Sequence, residues 1–238
     1  MPELPDFNDP RYLDEVGWFL SYEKYTYENT GRSYAQDRMT WSEMFLVDLL
    51  TACKQTTDWI RDKTVISMGC GCSGDLAAWP ARSKIAVDPL VYAYQHLDML
   101  VADRPTTAPT TYLSVGIENL PLLDDCTDVV VCRNALDHMH DPAAGLAEIE
   151  RVLKADGRLF LWVDIGGGPT PDEPSPFTRE SLMRVLEPGF EVLSLSDSHK
   201  AHSADREYSV RILAKPRQGS RAKLDKQQLL NAYEASFK

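Results

Sequence analysis

The sequence predicts a doubly wound α/β fold, in which helices cover both faces of a mostly parallel sheet. Short β-rich runs alternate with helical segments from residue 64 to residue 164, which is typical of such a sheet. The run 128–132 is almost entirely apolar, as expected of a strand that is buried on both faces. The 238 residues suffice for one domain of this kind.

The elements follow from local pattern. Strands are predicted at 64–68, 84–88, 111–115, 128–132, 158–164, 190–196 and 206–215. The last two are joined without a helix, so we expect them to be antiparallel to each other. Helices are predicted at 75–79, 91–101, 143–153, 179–186 (after Thr178) and 223–237, and another opens at the capping-box pattern Thr40–Glu43. A single domain then consists of an N-terminal helical cap (1–61), the core (62–217) and a C-terminal helical tail (218–238).

Composition excludes several classes of function. The net charge of −11 argues against broad binding of nucleic-acid phosphates. Basic residues dominate from Lys200 to Lys238, where a solvated edge strand and tail are favoured over an anion-binding patch. No apolar run approaches the roughly 20 residues that span a bilayer, and the first residues lack a signal-peptide pattern. We therefore expect a cytoplasmic protein. The five cysteines form no disulfide or metal framework.

Two features predict a nucleoside-binding site. A glycine-rich turn follows the first predicted strand, where glycines let the backbone approach a ligand and a following helix favours an anion; its residues are Gly69, Cys70, Gly71 and Gly74. Asp88, followed by Pro89, ends the second strand, where a carboxylate can accept hydrogen bonds from ribose hydroxyls. This pair fits a nicotinamide dinucleotide as well as S-adenosylmethionine.

Four further motifs help to distinguish between these two cofactors. They are Gly116–Pro121 after the third strand, Leu122–Asp128 before the fourth, Arg133–His138 after it, and Glu148–Arg158 before the fifth. With these motifs the chain resembles the class I S-adenosylmethionine-dependent methyltransferases, in particular the small-molecule group related to the ubiquinone/menaquinone-biosynthesis enzymes. The resemblance covers residues 62–164, and more loosely continues to 215. It implies seven strands in the order 3-2-1-4-5-7-6, with the seventh antiparallel.

The resemblance also implies roles for residues. The loop Gly69–Gly74 would pass under the methionine part of the cofactor, Asp88 with Pro89 would hold the ribose, and Ile117 would offer its backbone N–H to adenine. Arg133 or Asn134 would fix the methionine end. The family usually has an acidic residue where this chain has Gly116, and Glu118 or a water would substitute for it.

The catalytic group is predicted among residues after the fourth strand. His138 is the first candidate for a general base, because ligands bind at this edge of the sheet and imidazole titrates near neutral pH. Catalysis by positioning alone is the alternative. Asp137 and His140 are further candidates, with Asp137 expected to cap a helix.

Three segments are expected to surround the acceptor. The loop Gly166–Phe177 is predicted to be a lid or wall, and the segment Ser196–Asp205, with His199 and His202, an exposed loop rather than a metal site. The aromatic N-terminal segment either closes the pocket, through a tyrosine or Arg32, or packs outside the sheet.

The sequence thus predicts transfer of a methyl group from S-adenosylmethionine to O, N or C of a small molecule, with S-adenosylhomocysteine as the product. Neither nucleic acid nor a membrane is expected as a partner, and a homodimer is left open. Two rival functions remain: a non-catalytic S-adenosylmethionine-binding subunit and an NAD(P)-dependent oxidoreductase.

Overall fold

A seven-stranded sheet forms the centre of the molecule in the computed structural model, which describes residues 10–72, 74–198 and 206–217. The strands are β1 (Thr64–Met68), β2 (Ser83–Val87), β3 (Thr110–Leu113), β4 (Thr127–Arg133), β5 (Leu153–Ile165), β6 (Phe190–Ser198) and β7 (Tyr208–Pro216). Their order is β3-β2-β1-β4-β5-β7-β6, and β7 is antiparallel to both neighbours. The predicted fold class and strand order are confirmed.

Helices cover the sheet. They are α1 (Pro10–Thr30), α2 (Tyr34–Cys53), α3 (Thr57–Ile60), α4 (Val91–His96), α5 (Pro142–Val152) and α6 (Arg179–Leu186), with one 3₁₀ turn at Ile117–Asn119. None of the described helices is long and apolar enough to cross a membrane.

The apolar run of β4 serves two hydrophobic cores. Val130 and Cys132 belong to a core that includes side chains of α5 and α6. Val129 and Val131 belong to the core on the opposite face, with α2 and Trp79. Because successive side chains of a strand point to opposite faces, a strand covered on both sides has no polar face. Because β1, β2 and β4 pair in parallel, their carboxyl ends lie at the same edge of the sheet.

The start of α2 differs from the prediction. The helix begins at Tyr34, where Ser33 Oγ accepts a hydrogen bond from the Gln36 amide and the Gln36 side chain accepts one from the Ser33 amide. The pattern at Thr40–Glu43 therefore lies inside the helix. Ser42 instead donates its hydroxyl to the Asp75 carbonyl, 2.8 Å away, and so holds α2 to the segment after β1.

That segment, 75–79, is also a correction. It forms turns instead of the predicted helix. In these turns a backbone amide donates to the carbonyl three residues earlier, as Trp79 N does to Leu76 O at 3.0 Å. The turns bury Trp79 completely, and its indole N–H donates to the Ser42 carbonyl. The expected helix N-terminus after the glycine loop is therefore absent there. Similarly, α4 ends at His96 rather than 101.

The prediction that the basic strand of the last third is a solvated edge strand is wrong, and the basic tail 218–238 lies outside the described residues. β7 lies between β5 and β6 instead of at an edge. Arg206 is buried on Glu173, Arg211 pairs with Asp48 and stacks on Trp162, and Lys215 pairs with Glu191. These side chains are used within the molecule. His199, His202 and the predicted helix 223–237 lie outside the described residues.

Candidate functional site

A cavity of about 380 Å³ opens at the carboxyl edge of the sheet. Most predicted site residues line it: Gly69, Asp88, Pro89, Ile117, Glu118, Asn134, His138 and His140. Cys70, Gly71 and Arg133 line a smaller adjoining cleft of about 90 Å³. Gly74 lies away from both, against Val101, where its φ of +63° turns the chain. The expectation that Gly74 touches a ligand is therefore not supported by its position.

The glycine loop is shaped by close contacts. Gly69 has φ +64°, and a Cβ there would lie 2.2 Å from the Cβ of Ala135. Gly71 has φ +53°, and a Cβ there would lie 2.7 Å from the Phe19 ring. Only glycine combines this left-handed backbone with the absence of a side chain. At these two positions Ala135 and Phe19 therefore pack directly against the backbone of the glycine loop.

Asp88 joins this loop to the end of β2. Its Oδ2 accepts a hydrogen bond from the Gly71 amide at 2.9 Å, and its Oδ1 accepts one from the Leu90 amide at 2.8 Å. Burial raises the pKa of the carboxyl, and the two amides oppose that shift. Each oxygen keeps a lone pair for a ligand, since a carboxylate oxygen can accept more than one hydrogen bond.

Glu118 occupies the space left by Gly116. Its Oε2 lies 2.8 Å from the point where a Cβ of residue 116 would stand. A carboxylate thus reaches the position from which the family's usual acidic residue would extend. Neighbouring Ile117 is buried and begins the 3₁₀ turn.

Arg133 and Asn134 close the inner end of the site. Arg133 Nη2 donates to Asp75 Oδ1 at 2.6 Å, and its guanidinium lies over the Phe45 ring. Asn134 has φ +47°, and its amide donates to the Trp162 carbonyl at 2.6 Å. This turn ends β4 and brings the Asn134 side chain within 3.5 Å of His138 Nε2.

His138 lies between two carboxylates. Its Nδ1 is 4.0 Å from Glu15 Oε2 of α1, and its Nε2 is 3.8 Å from Glu173 Oε1. Burial alone would lower the pKa of the imidazole. The charges of Asp137, Glu15, Glu173 and Asp172 outweigh that effect, so the pKa of His138 is raised above 6.5.

Asp137 is not the helix cap that the sequence predicted. The cap of α5 is Asp141, whose Oδ1 accepts a hydrogen bond from the Ala144 amide at 2.9 Å. Asp137 is fully buried, and neither of its oxygens accepts a hydrogen bond from another described residue. Burial raises the pKa of its carboxyl to about 6. One atom each of Asp137, His138 and Glu173 lie within 4.8 Å of one another, so charge is concentrated here.

The loop after β5 forms a wall, as expected for Gly166–Phe177. Arg206 holds it by an ion pair with Glu173 and by hydrogen bonds to the carbonyls of Gly166 and Gly168. Asp172 lines both the cavity and the cleft. The sequence did not single out Glu173 or its partner, because 33 residues separate them and neither lies in a motif.

The N-terminal segment reaches the site through α1. Glu15 lines the cavity and the cleft, and Trp18 and Phe19 line the cleft. The closing residues are thus an acid and two aromatic side chains, whereas a tyrosine or Arg32 was expected. The sequence offered no reason to select Glu15, because it lies in no motif and is one of several acidic residues in α1.

Comparisons with known proteins fit this geometry. Residues 66–161 match the family described as "Methyltransferase domain". Thiol S-methyltransferase TMT1B of Rattus norvegicus is 29% identical over 67% of this chain and 62% of its own length. tRNA U34 carboxymethyltransferase of Marinobacter nauticus is 30% identical over 52% of this chain and 38% of its own. The chain thus spans less than two thirds of these relatives.

One solved structure extends the similarity of fold. It is the 1,6-didemethyltoxoflavin-N1-methyltransferase of Burkholderia thailandensis, crystallised with 1,6-didemethyltoxoflavin and S-adenosylhomocysteine. The TM-score is 0.53 at 18% identity, covering 90% of this chain and 92% of that one. The strand order, the cavity at the carboxyl edge and the match over residues 66–161 agree with one another: this part of the chain is similar to a methyltransferase domain.

Proposed function

We propose that this chain transfers the methyl group of S-adenosylmethionine to a small-molecule acceptor, with His138 as the general base. The observation that carries the proposal is one continuous site. Asp88 and Glu118 line the same cavity as His138, and the glycine loop extends it into the cleft. A nucleoside held at one end would thus bring a reacting group towards the imidazole.

The residues present suit this cofactor. Asp88 has lone pairs for ribose hydroxyls, and Gly69 lines both the cavity and the cleft without a side chain that would stand between its backbone and a ligand. Glu118 and the amide of Ile117 are the candidates to contact adenine, and Asn134 and Arg133 to contact the methionine end. The cavity volume lies in the range of about 300–1,000 Å³ that is usual for ligand sites.

The protein's own contribution to the reaction is positioning and proton transfer. The bound cofactor supplies an electrophilic methyl group on a sulfonium. The loop after β5 and helix α1 enclose the acceptor and exclude water, and in-line alignment lowers the entropic part of the barrier. His138 in its neutral form accepts the proton that an amine or hydroxyl acceptor loses.

A small molecule is favoured over tRNA as the acceptor, although one relative is named for tRNA. The chain carries a net charge of −11, and Glu15, Asp172 and Glu173 surround the cavity near His138. Phosphates would be repelled by that field, whereas nucleic-acid binding normally rests on basic side chains.

A non-catalytic cofactor-binding subunit is the second candidate function. His138 favours catalysis over this alternative, because two carboxylates flank its ring nitrogens at the site. The nicotinamide-dependent oxidoreductase loses support, because the matched domain is that of methyltransferases.

Calorimetric titration with S-adenosylmethionine and S-adenosylhomocysteine tests the proposal, with NADH and NADPH as controls. We expect micromolar binding of the first two alone. Labelled methyl transfer to a mixture of small metabolites should then depend on His138, falling at least about tenfold in His138→Ala. Binding without any transfer would favour the non-catalytic subunit, and binding of the nicotinamides alone would contradict the proposal.

A further inference from the structure

Carboxylates dominate the acceptor side of the site. Glu15 comes from α1, and Asp172 and Glu173 come from the loop after β5. Arg206 is the basic side chain bound to this group, and Glu173 already engages it in a buried ion pair. Repulsion by Asp88, Asp172 and Glu173 adds to burial in raising the pKa of Glu15 to about 7. Arg38 and Arg133 also line the cleft, and Arg133 is paired with Asp75, but carboxylates outnumber basic side chains among the described residues around His138.

A buried side chain beside His138 adds a further negative charge to this region. Asp137 is fully buried, and among described residues no other residue donates a hydrogen bond to either of its oxygens. One of these oxygens lies within 4.8 Å of atoms of both His138 and Glu173. A buried carboxylate without partners is costly, so its charge needs compensation from nearby. Asp137 lines neither the cavity nor the cleft, and the protonated form of His138, which Asp137 favours, provides that compensation.

We propose that the acceptor is a cationic amine, bound as an ammonium between Glu15 and Asp172 and methylated on nitrogen. This inference rests on the proposed function and names its substrate class. The ammonium donates hydrogen bonds to the two carboxylates, which line both the cavity and the cleft. His138 lies beside Glu15, in position to receive a proton from the same nitrogen.

Methyl transfer to the amine requires the loss of one proton from nitrogen. The ammonium loses one proton to the imidazole, which passes it to solvent. The freed nitrogen lone pair forms a bond to the methyl carbon, while the carbon–sulfur bond breaks and its electron pair remains on sulfur. The products are an N-methylated ammonium and the neutral thioether of S-adenosylhomocysteine. Positive charge thus moves from sulfur to nitrogen, and Glu15 and Asp172 stabilise it where it develops.

Other acceptors suit this wall less well. A thiolate, phenolate or carboxylate would bring a second negative charge beside Glu15 and Asp172, at a cost in binding free energy. A neutral alcohol carries no charge, so the carboxylates would not increase its binding affinity beyond that expected from neutral hydrogen-bond acceptors. The negative charges of Glu15 and Asp172 thus favour a cationic amine over other nucleophiles that could bind in this fold.

The test compares acceptors that share a skeleton and differ in the reacting group. Benzyl, phenethyl and n-butyl compounds, each as amine, alcohol, thiol and carboxylic acid, are incubated with the full chain and methyl-labelled S-adenosylmethionine. The same panel is run with Glu15→Gln and with Glu28→Gln. The second variant removes the same charge from an exposed position of the same helix.

We expect methylated products from the amines. Glu15→Gln should lower kcat/KM for the amine at least about tenfold while leaving the affinity for S-adenosylhomocysteine unchanged. Glu28→Gln should behave as the wild type. Preferential methylation of thiols, alcohols or acids would overturn the inference, as would binding of S-adenosylmethionine with no amine methylated. Loss of S-adenosylhomocysteine binding in Glu15→Gln would assign Glu15 to the cofactor and also overturn it. Failure of the wild type to bind the cofactor would instead refute the proposed function.

Discussion

At the scale of single residues, Asp88 combines a structural and a proposed binding role. Its two oxygens accept hydrogen bonds from backbone amides of the glycine loop and of the turn before α4. The same carboxylate lines the cavity. Asp88 could be predicted from the sequence, because an acidic residue at the end of the second strand commonly binds a ribose in folds of this class.

Replacing Asp88 by Asn should weaken S-adenosylhomocysteine binding about tenfold to a hundredfold, since a charged acceptor of two hydrogen bonds becomes neutral. Calorimetry measures the change, and Asp98→Asn, an exposed turn residue with φ +57°, is the matched control. Unchanged affinity in Asp88→Asn would show that the ribose is held elsewhere.

His138 should titrate above pH 6.5 in the free protein, because the carboxylates of Asp137, Glu15, Glu173 and Asp172 favour its protonated form more than burial disfavours it. The base form therefore appears only at higher pH. NMR titration of the ring protons measures this pKa, and His138→Gln assigns the signal.

Glu15→Gln should move the His138 titration to lower pH, because it removes a carboxylate 4.0 Å from Nδ1. Glu28→Gln should leave the titration where it is in the wild type. A wild-type pKa at or below 6.5 would refute the electrostatic description of the site.

At the scale of elements, the wall after β5 depends on one buried ion pair. The side chains of Arg206 and Glu173 are almost completely buried, and Arg206 also binds two carbonyls of the loop. A loop rich in glycine and proline acquires its shape here through a residue of the following strand region. Local pattern predicted the loop but could not predict the anchor.

Arg206→Met should destabilise the fold by about 3–5 kcal/mol, because it leaves the Glu173 carboxylate buried without its cation. The double variant Arg206→Met/Glu173→Gln should recover much of that loss. Urea denaturation measures both. Equal stabilities for the wild type and Arg206→Met would mean that the pair does not hold the wall.

Helices and strands were predicted correctly where their bounds depend on neighbouring residues in the sequence. β1 and β2 were located because their β-rich runs end at Gly69 and Asp88, and the cap of α6 at Thr178 follows from its own residues. The start of α2 was missed because Ser33–Gln36 and Thr40–Glu43 both match a capping box, and only contacts with Asp75 and Ala78 place Ser42 inside the helix. The same contacts explain why 75–79 turns instead of forming a helix.

At the scale of the whole molecule, the sequence predicted the sheet and the edge that carries the site, but not the charge of the acceptor wall. Parallel alternation places the ends of β1, β2 and β4 together in any protein of this topology. The approach of Glu15 to His138 depends instead on how α1 docks, which no motif encodes. The net charge of −11 predicted that the protein is acidic, but not that the acidic side chains gather around His138.

The raised pKa values should make stability depend on pH. Burial raises the pKa of Glu15 to about 7 and that of Asp137 to about 6, from 4.5 and 3.8. The folded state then holds protons that the unfolded state releases, so these groups make the free energy of unfolding fall as pH rises from about 4 to about 7. The contribution is fully present below pH 4 and is lost above pH 7.

Urea denaturation between pH 4 and pH 8 measures this dependence. Asp137→Asn should reduce the slope, because it removes one of the two groups. The same slope in the variant and the wild type would show that Asp137 does not carry the raised pKa.

The most direct test of the proposed site is a crystal structure of the chain with S-adenosylhomocysteine. We predict that the ribose hydroxyls bind Asp88, that adenine lies beside Glu118, and that the thioether sulfur faces the space between His138 and Glu15. A nucleoside bound away from Asp88, or a sulfur turned away from His138, would contradict the central claim that one cavity joins the cofactor site to the proposed base.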